Sequence, residues 1–98
     1  MSLERLDPLL SKPKKLAAVG ILANAREVEF AFIRDQLNLS DSDLSKQMSA
    51  LVAAGYATVK KVGAGGDRKT WYMATKEGAA ALQSHVSALN SLISGSAD

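Results

Sequence analysis

Cysteine is absent from this sequence. Its absence excludes a disulfide scaffold, a thiolate nucleophile and any cysteine-held zinc or iron–sulfur centre. Histidine is nearly absent. His85 stands alone, so a histidine-rich metal site is excluded as well, and neither a metal nor a cofactor is expected. Long apolar runs are missing: none approaches the roughly 20 residues that span a bilayer. The N-terminal stretch is too charged and too broken for a signal peptide. Internal repeats and low-complexity linkers are missing too. These absences lead to the expectation of an intracellular protein, independent of membranes and stable without staples.

What is present fits one small domain. The chain has 98 residues, 47% apolar and 22% charged. That balance is ordinary for a globular protein and too apolar for a disordered one. A chain of this length buries only about 60–65% of the surface it would expose unfolded, and small cores without staples often gain stability by oligomerising. The net charge of +2 hides an uneven distribution. Residues 1–43 carry six basic and seven acidic groups. Residues 44–76 carry Lys46, Lys60, Lys61, Arg68, Lys69 and Lys76 against Asp67 alone, and residues 77–98 carry only Glu77 and Asp98. A basic middle third between neutral or acidic flanks points to an anionic partner at one face. A solvated lysine-rich surface is the plainer reading of the same residues.

The local pattern alternates between helical and extended segments. Leu3, Leu6, Leu9 and Leu10 have helical spacing broken by Pro8, which predicts a short or irregular helix. Ser11-Lys12-Pro13 reads as a helix start, with Ser11 near the N-cap and a helix through Ala23. Val28-Glu29-Phe30 suggests a minimal strand, and Phe30, Ile33 and Leu37 a short helix to Leu37. Asn38-Leu39-Ser40 is a tight turn. Ser40 then precedes the clearest helix, about Asp41 to Ala54: Asp43 stands where a capping-box acid belongs, Leu44, Met48, Leu51 and Val52 form the stripe, and Gly55 ends it. Tyr56 to Val62 and Lys69 to Ala74 are strands joined by the glycine-rich loop 63–67, a hairpin. Thr75 caps a last helix through Leu82, Val86, Leu89 and Ile93.

Two helices joined by a three-residue turn form a helix-turn-helix, and here a basic hairpin follows. Three stretches carry a family likeness. They are Leu37-Asn38-Leu39-Ser40-Asp41-Ser42-Asp43-Leu44-Ser45-Lys46-Gln47-Met48, then Leu51-Val52-Ala53-Ala54-Gly55-Tyr56, then Asp67-Arg68-Lys69-Thr70-Trp71-Tyr72-Met73-Ala74-Thr75-Lys76-Glu77-Gly78. In this order and spacing the chain from about Leu9 to Ile93 resembles the winged-helix DNA-binding regulators of bacteria and archaea. It is similar in kind to the small MarR-like and ArsR-like single-domain transcriptional regulators. The fold implied is mainly α with a small β-hairpin (α+β), a winged helix-turn-helix with an extra N-terminal helical segment. A single domain over residues 1–94 and a disordered tail over 95–98 are expected.

The resemblance implies a cytoplasmic, nucleoid-associated homodimer. It would bind a pseudo-palindromic operator in double-stranded DNA, usually as a repressor. The recognition helix, about 41–54, would enter the major groove, and the wing, 63–68, would meet the minor groove or flanking phosphates. Ser42, Ser45, Lys46 and Ser49 match the exposed face of the recognition helix, Arg68 and Lys69 fall in the wing, and Lys46, Lys60, Lys61, Arg68 and Lys69 would supply most of the phosphate attraction. A small-molecule effector at the dimer interface is implied in the same way. Helical geometry agrees for the recognition helix: a buried stripe at Leu44, Met48 and Leu51 turns residues 42, 45, 46 and 49 outward. The sequence also departs from the pattern. The recognition helix has one base, Lys46, and opens with two acids, which cost affinity near a DNA backbone unless one accepts from a cytosine amino group. The chain is shorter than a typical MarR protein, and it lacks the metal-binding cysteines of many ArsR relatives.

Other signals have plainer readings. The loop from Gly63 to Thr70 imitates a phosphate-binding loop, but Arg68 stands where that motif needs glycine, and the loop joins two strands. His85 lacks a recognisable nucleophile and orienting acid, so helix packing or a surface position accounts for it. Trp71 and Tyr72 face opposite sides of a strand; if Tyr72 and Ala74 face the core, Trp71 and Met73 face outward. The stripe Leu82, Val86, Leu89 and Ile93 has coiled-coil spacing and suits either its own core or a second chain. With Leu3, Leu6 and Leu10 it forms the expected dimer interface. A protein-interaction module without DNA binding is the alternative function, and no enzyme activity is expected.

Overall fold

Proline fixes where the first long helix begins. Pro13 has no amide hydrogen to donate and its φ suits a first helical turn. In the computed structural model, which describes residues 3–95, helix α1 spans Pro13–Ala23. Its N-cap is Lys12, without a side-chain cap bond. Ser11, expected near that cap, donates its hydroxyl to the Asp7 carbonyl at 2.8 Å instead. One 3-10 turn, Leu3–Arg5, precedes it. Strand β1, Val28–Glu29, runs directly into α2, Phe30–Leu37. Asn38 ends α2 at φ 53°, a left-handed conformation that Asn tolerates.

Helix α3 spans Asp41–Ala53. The Ser40 hydroxyl accepts the Asp43 amide at 3.1 Å, the first half of a capping box. The Asp43 carboxylate turns towards α1 rather than completing the box. Gly55 follows the helix at φ 82°, the left-handed geometry that favours glycine.

Strands β2, Ala57–Val62, and β3, Lys69–Ala74, form an antiparallel hairpin with a 3-10 turn at Gly65–Asp67. β1 pairs with the other edge of β3, so the sheet order is β1-β3-β2. Tyr72 lies between Val28 and Val59, and Trp71 between Glu29 and Lys60. Side chains alternate along a strand, so Val28, Val59, Lys61 and Tyr72 share one face. Glu29, Lys60, Lys69, Trp71 and Met73 share the other. Tyr72 and Val28 are buried, which makes theirs the core face and turns Trp71 outward.

Helix α4, Lys76–Ser94, is seated by Thr75. The Thr75 hydroxyl accepts the Gly78 amide at 2.9 Å and donates to the Gly55 carbonyl at 2.6 Å. Its amide donates to the Tyr56 carbonyl at 3.1 Å. The first turn of α4 thus rests on the backbone of Tyr56, and a Cβ at Gly78 would collide with that carbonyl.

The core gathers Leu10, Val19, Leu22, Ile33, Leu44, Met48, Leu51 and Tyr72 from α1, α2, α3, the sheet and the N-terminal segment. α4 buries Gly78, His85 and Ala88. His85 is 1% exposed, and its Nδ1 accepts the Asp7 amide at 3.0 Å, so helix packing is its role. The buried positions of α4 stop at Ala88. The molecule measures 53 Å along its long axis against 24 and 20 Å across. Its radius of gyration, 14.7 Å, exceeds the roughly 13 Å of a compact chain this long. Residues 96–98, most of the expected tail, lie outside the described residues.

Candidate nucleic-acid interface

Burial of Leu44, Met48 and Leu51 orients α3. Ser42, Ser45, Lys46 and Ser49 are all exposed as a result. The two acids that open the helix suit its positive N-terminal end, and neither stands bare. Arg34 of α2 donates to Asp41 at 2.9 Å, and Lys14 of α1 donates to Asp43 at 2.6 Å. Gln47, buried on α3, donates to the other Asp43 oxygen at 2.9 Å and accepts from Lys15 at 2.6 Å. The Lys14 ammonium, with Gln47, holds the Asp43 carboxyl below the usual carboxylate range. Three further cations, Lys14, Lys15 and Arg34, therefore gather near the start of α3. Sequence reasoning missed the two lysines because their partners lie 29 and 32 positions away.

A cleft of about 350 Å³ separates α3 from the sheet. Ser45 and Ser49 line its helical wall, and Val59, Lys61 and Tyr72 its sheet wall. Two serines on one wall and a lysine on the other are side chains that suit phosphate oxygens, beside the apolar Val52 and Ala53. Beyond the cleft the hairpin carries Arg68, exposed at the start of β3. Among the described residues Lys46, Lys61 and Arg68 form no ion pair.

Residues 15–93 match the family described as a winged helix DNA-binding domain. The chain belongs to that family. Among solved structures it is similar to a transcriptional regulator homologue from Pyrococcus horikoshii OT3, at 25% identity and a TM-score of 0.83, over 89% of this chain and 86% of that one. Reduced HlyU from Vibrio cholerae N16961 shares the fold at 18% identity and a TM-score of 0.64, over 87% of this chain and 80% of that one. NadR in complex with 4-hydroxyphenylacetate shares it at 16% identity and 0.70, over 90% and 64%. No curated protein matches the chain.

In this winged helix domain α3 occupies the position of the recognition helix and the β2–β3 loop that of the wing. The structure brings Ser45, Ser49 and Lys61 to one cleft, with Ser42 and Lys46 on the same exposed helix face. Lys60 and Lys69 do not join them. They lie on the outer sheet face, 3.0 Å from Glu27 and 3.6 Å from Glu29. Strand alternation sends Lys60 and Lys61 to opposite sides.

The residues expected at a dimer interface also divide. Leu10 is 0% exposed within its own core, which corrects its assignment: it has no surface to offer a partner. Leu6 and Leu89 are half-buried, and Leu82 packs against the core of its own chain. Leu3, Val86 and Ile93 are exposed, Ile93 at 81%. The small Gly78 and Ala88 let α4 lie close to the body with His85 inward, and that rotation leaves Val86 and Ile93 outside. A groove of about 400 Å³ along Ala79, Leu82, Gln83 and Val86 runs on this outer side. No helix among the described residues is long and apolar enough to cross a membrane.

Proposed function

We propose that this winged helix protein is a homodimeric, sequence-specific regulator of transcription, acting as a repressor on double-stranded DNA. The observation that carries this reading is the cleft between recognition helix and sheet, with hydroxyls on one wall and Lys61 on the other. A sugar–phosphate strand fits there when α3 enters the major groove and the wing reaches the flank. Pairing of Asp41 with Arg34 and of Asp43 with Lys14 supports it, because the entering helix end presents no uncompensated acid. Ser42, Ser45, Lys46 and Ser49 then meet base edges and phosphates, and Lys61 and Arg68 supply wing-side attraction.

The dimer is formed by α4 and the N-terminal segment, with Val86, Ile93 and Leu3 as its apolar contacts and the α4 groove covered by the second copy. Two recognition helices would then sit about 34 Å apart on one DNA face. A small-molecule effector between the subunits belongs to the same proposal.

The test is anisotropy of a labelled operator, found by selection from random duplexes. Arg68→Ala is expected to weaken binding by about 1–3 kcal/mol if it reads bases, with a smaller salt slope. Lys61→Ala is expected to weaken all sequences alike. Unchanged affinity and slope in both variants would remove the wing from the interface.

A further inference from the structure

We infer that the outer face of the sheet, at the base of the wing, holds a binding site for a small aromatic cation. A cavity of about 370 Å³ opens there, lined by Ala25, Glu27, Val28, Glu29, Phe32 and Trp71. That volume lies within the roughly 300–1,000 Å³ of small-molecule sites. Its chemistry is two aromatic side chains and two carboxylates. The β1–β3 register turns Trp71 out of the core beside Glu29. Phe32 stands on α2 with 52% of its surface exposed. Glu27 and Glu29 keep only 35% and 28% of their side-chain surface in water. Aromatic faces attract a cation, and carboxylates partly withdrawn from water attract it more strongly than exposed ones. The same set repels a carboxylate or a phosphate.

The protein itself shows what these carboxylates hold. Lys60 places its ammonium 3.0 Å from Glu27, and Lys69 lies 3.6 Å from Glu29. The Lys60 pair spans β3, because Trp71 lies between Lys60 and Glu29 in the sheet. Two ammonium groups thus already pair with carboxylates of residues that line the cavity. Both lysines are largely exposed, at 60% and 58% of their side-chain surface. Exposed lysine–carboxylate pairs are weak and readily exchanged. A ligand that joins an aromatic ring to an ammonium fills the cavity and satisfies Glu27 and Glu29 together.

Trp71 is the only tryptophan, so its fluorescence reports this site alone. Benzyltrimethylammonium titrated into the DNA-free, full-length protein is expected to change Trp71 emission saturably. Phenylacetate, similar in size and opposite in charge, is expected to leave it unchanged. The Glu27→Gln, Glu29→Gln double variant should weaken the cation at least about tenfold, and Lys60→Ala should tighten it by about two- to threefold by freeing Glu27. A response that never saturates, that phenylacetate matches, or that both variants leave alone overturns the site. A second titration adds duplex DNA. Saturable cation binding with no DNA binding would refute the DNA reading alone. DNA binding with no cation response would refute this site alone.

Discussion

Asp7 joins three distant parts of the chain through one side chain and one amide. Its carboxylate accepts the Leu9 and Leu10 amides at 2.8 and 3.2 Å and the Tyr56 hydroxyl, and its amide donates to His85 Nδ1. Burial pushes the Asp7 carboxyl up, but the Tyr56 hydroxyl and the Leu10 and Leu9 amides outweigh it, and the net result lies below the usual carboxylate range. The same contact raises the Tyr56 hydroxyl, whose proton the carboxylate holds. A carboxylate lowered by folding contributes stability that is present above its unfolded pKa, near 4, and lost as pH falls through the folded value. Tyr56→Phe should therefore cost about 1 kcal/mol at neutral pH. It should also flatten the loss of stability below about pH 4. Urea unfolding across that range reads both, and a variant with the wild-type pH profile would remove this bond from the account.

At the scale of elements, α4 depends on how closely it can approach the end of α3. Gly78 has no room for a side chain over the Tyr56 carbonyl. Gly78→Ala is expected to destabilise the fold by about 1–3 kcal/mol, although alanine is the better helix former in isolation. Thermal unfolding checks it, and an equal or higher midpoint would show that α4 can shift without loss. The recognition helix is legible in the sequence because every signal for it is local: Ser40 at the cap, acids in the first turn, the leucine stripe and Gly55. The outward Trp71 follows from alternation once Tyr72 faces the core. The inward face of α4 is not legible in the same way. It turns on Gly78, Ala88 and a bond between His85 and Asp7 that spans 78 positions. Leu82, Val86, Leu89 and Ile93 make the more apolar line along this helix, and packing chooses the neighbouring one. The split of the candidate site has a similar origin. Lys60 and Lys61 are adjacent in sequence, and only the sheet register sends one to the cleft and the other to Glu27.

The whole molecule is drawn out along one axis, with the late turns of α4 beyond the core and Ile93 in solvent. A second copy is the proposed cover for that surface. Ile93→Glu, or Val86→Glu, should turn a dimer into a monomer by light scattering without loss of helix content. A wild-type mass in both variants would place the interface elsewhere. Among the described residues Lys46, Lys61 and Arg68, on the side of the recognition helix and wing, form no ion pair, as is also true of Lys12, Lys15, Arg26 and Lys76. The most direct test of the central claim is a duplex-DNA titration at two salt concentrations, on protein whose mass in solution has been fixed. With Lys46, Lys61 and Arg68 in each of two subunits, log affinity should fall against log salt with a slope of about −5. A protein indifferent to duplex DNA at low salt would contradict the account and leave the winged helix as a protein-interaction module, with Trp71 the first residue to mutate.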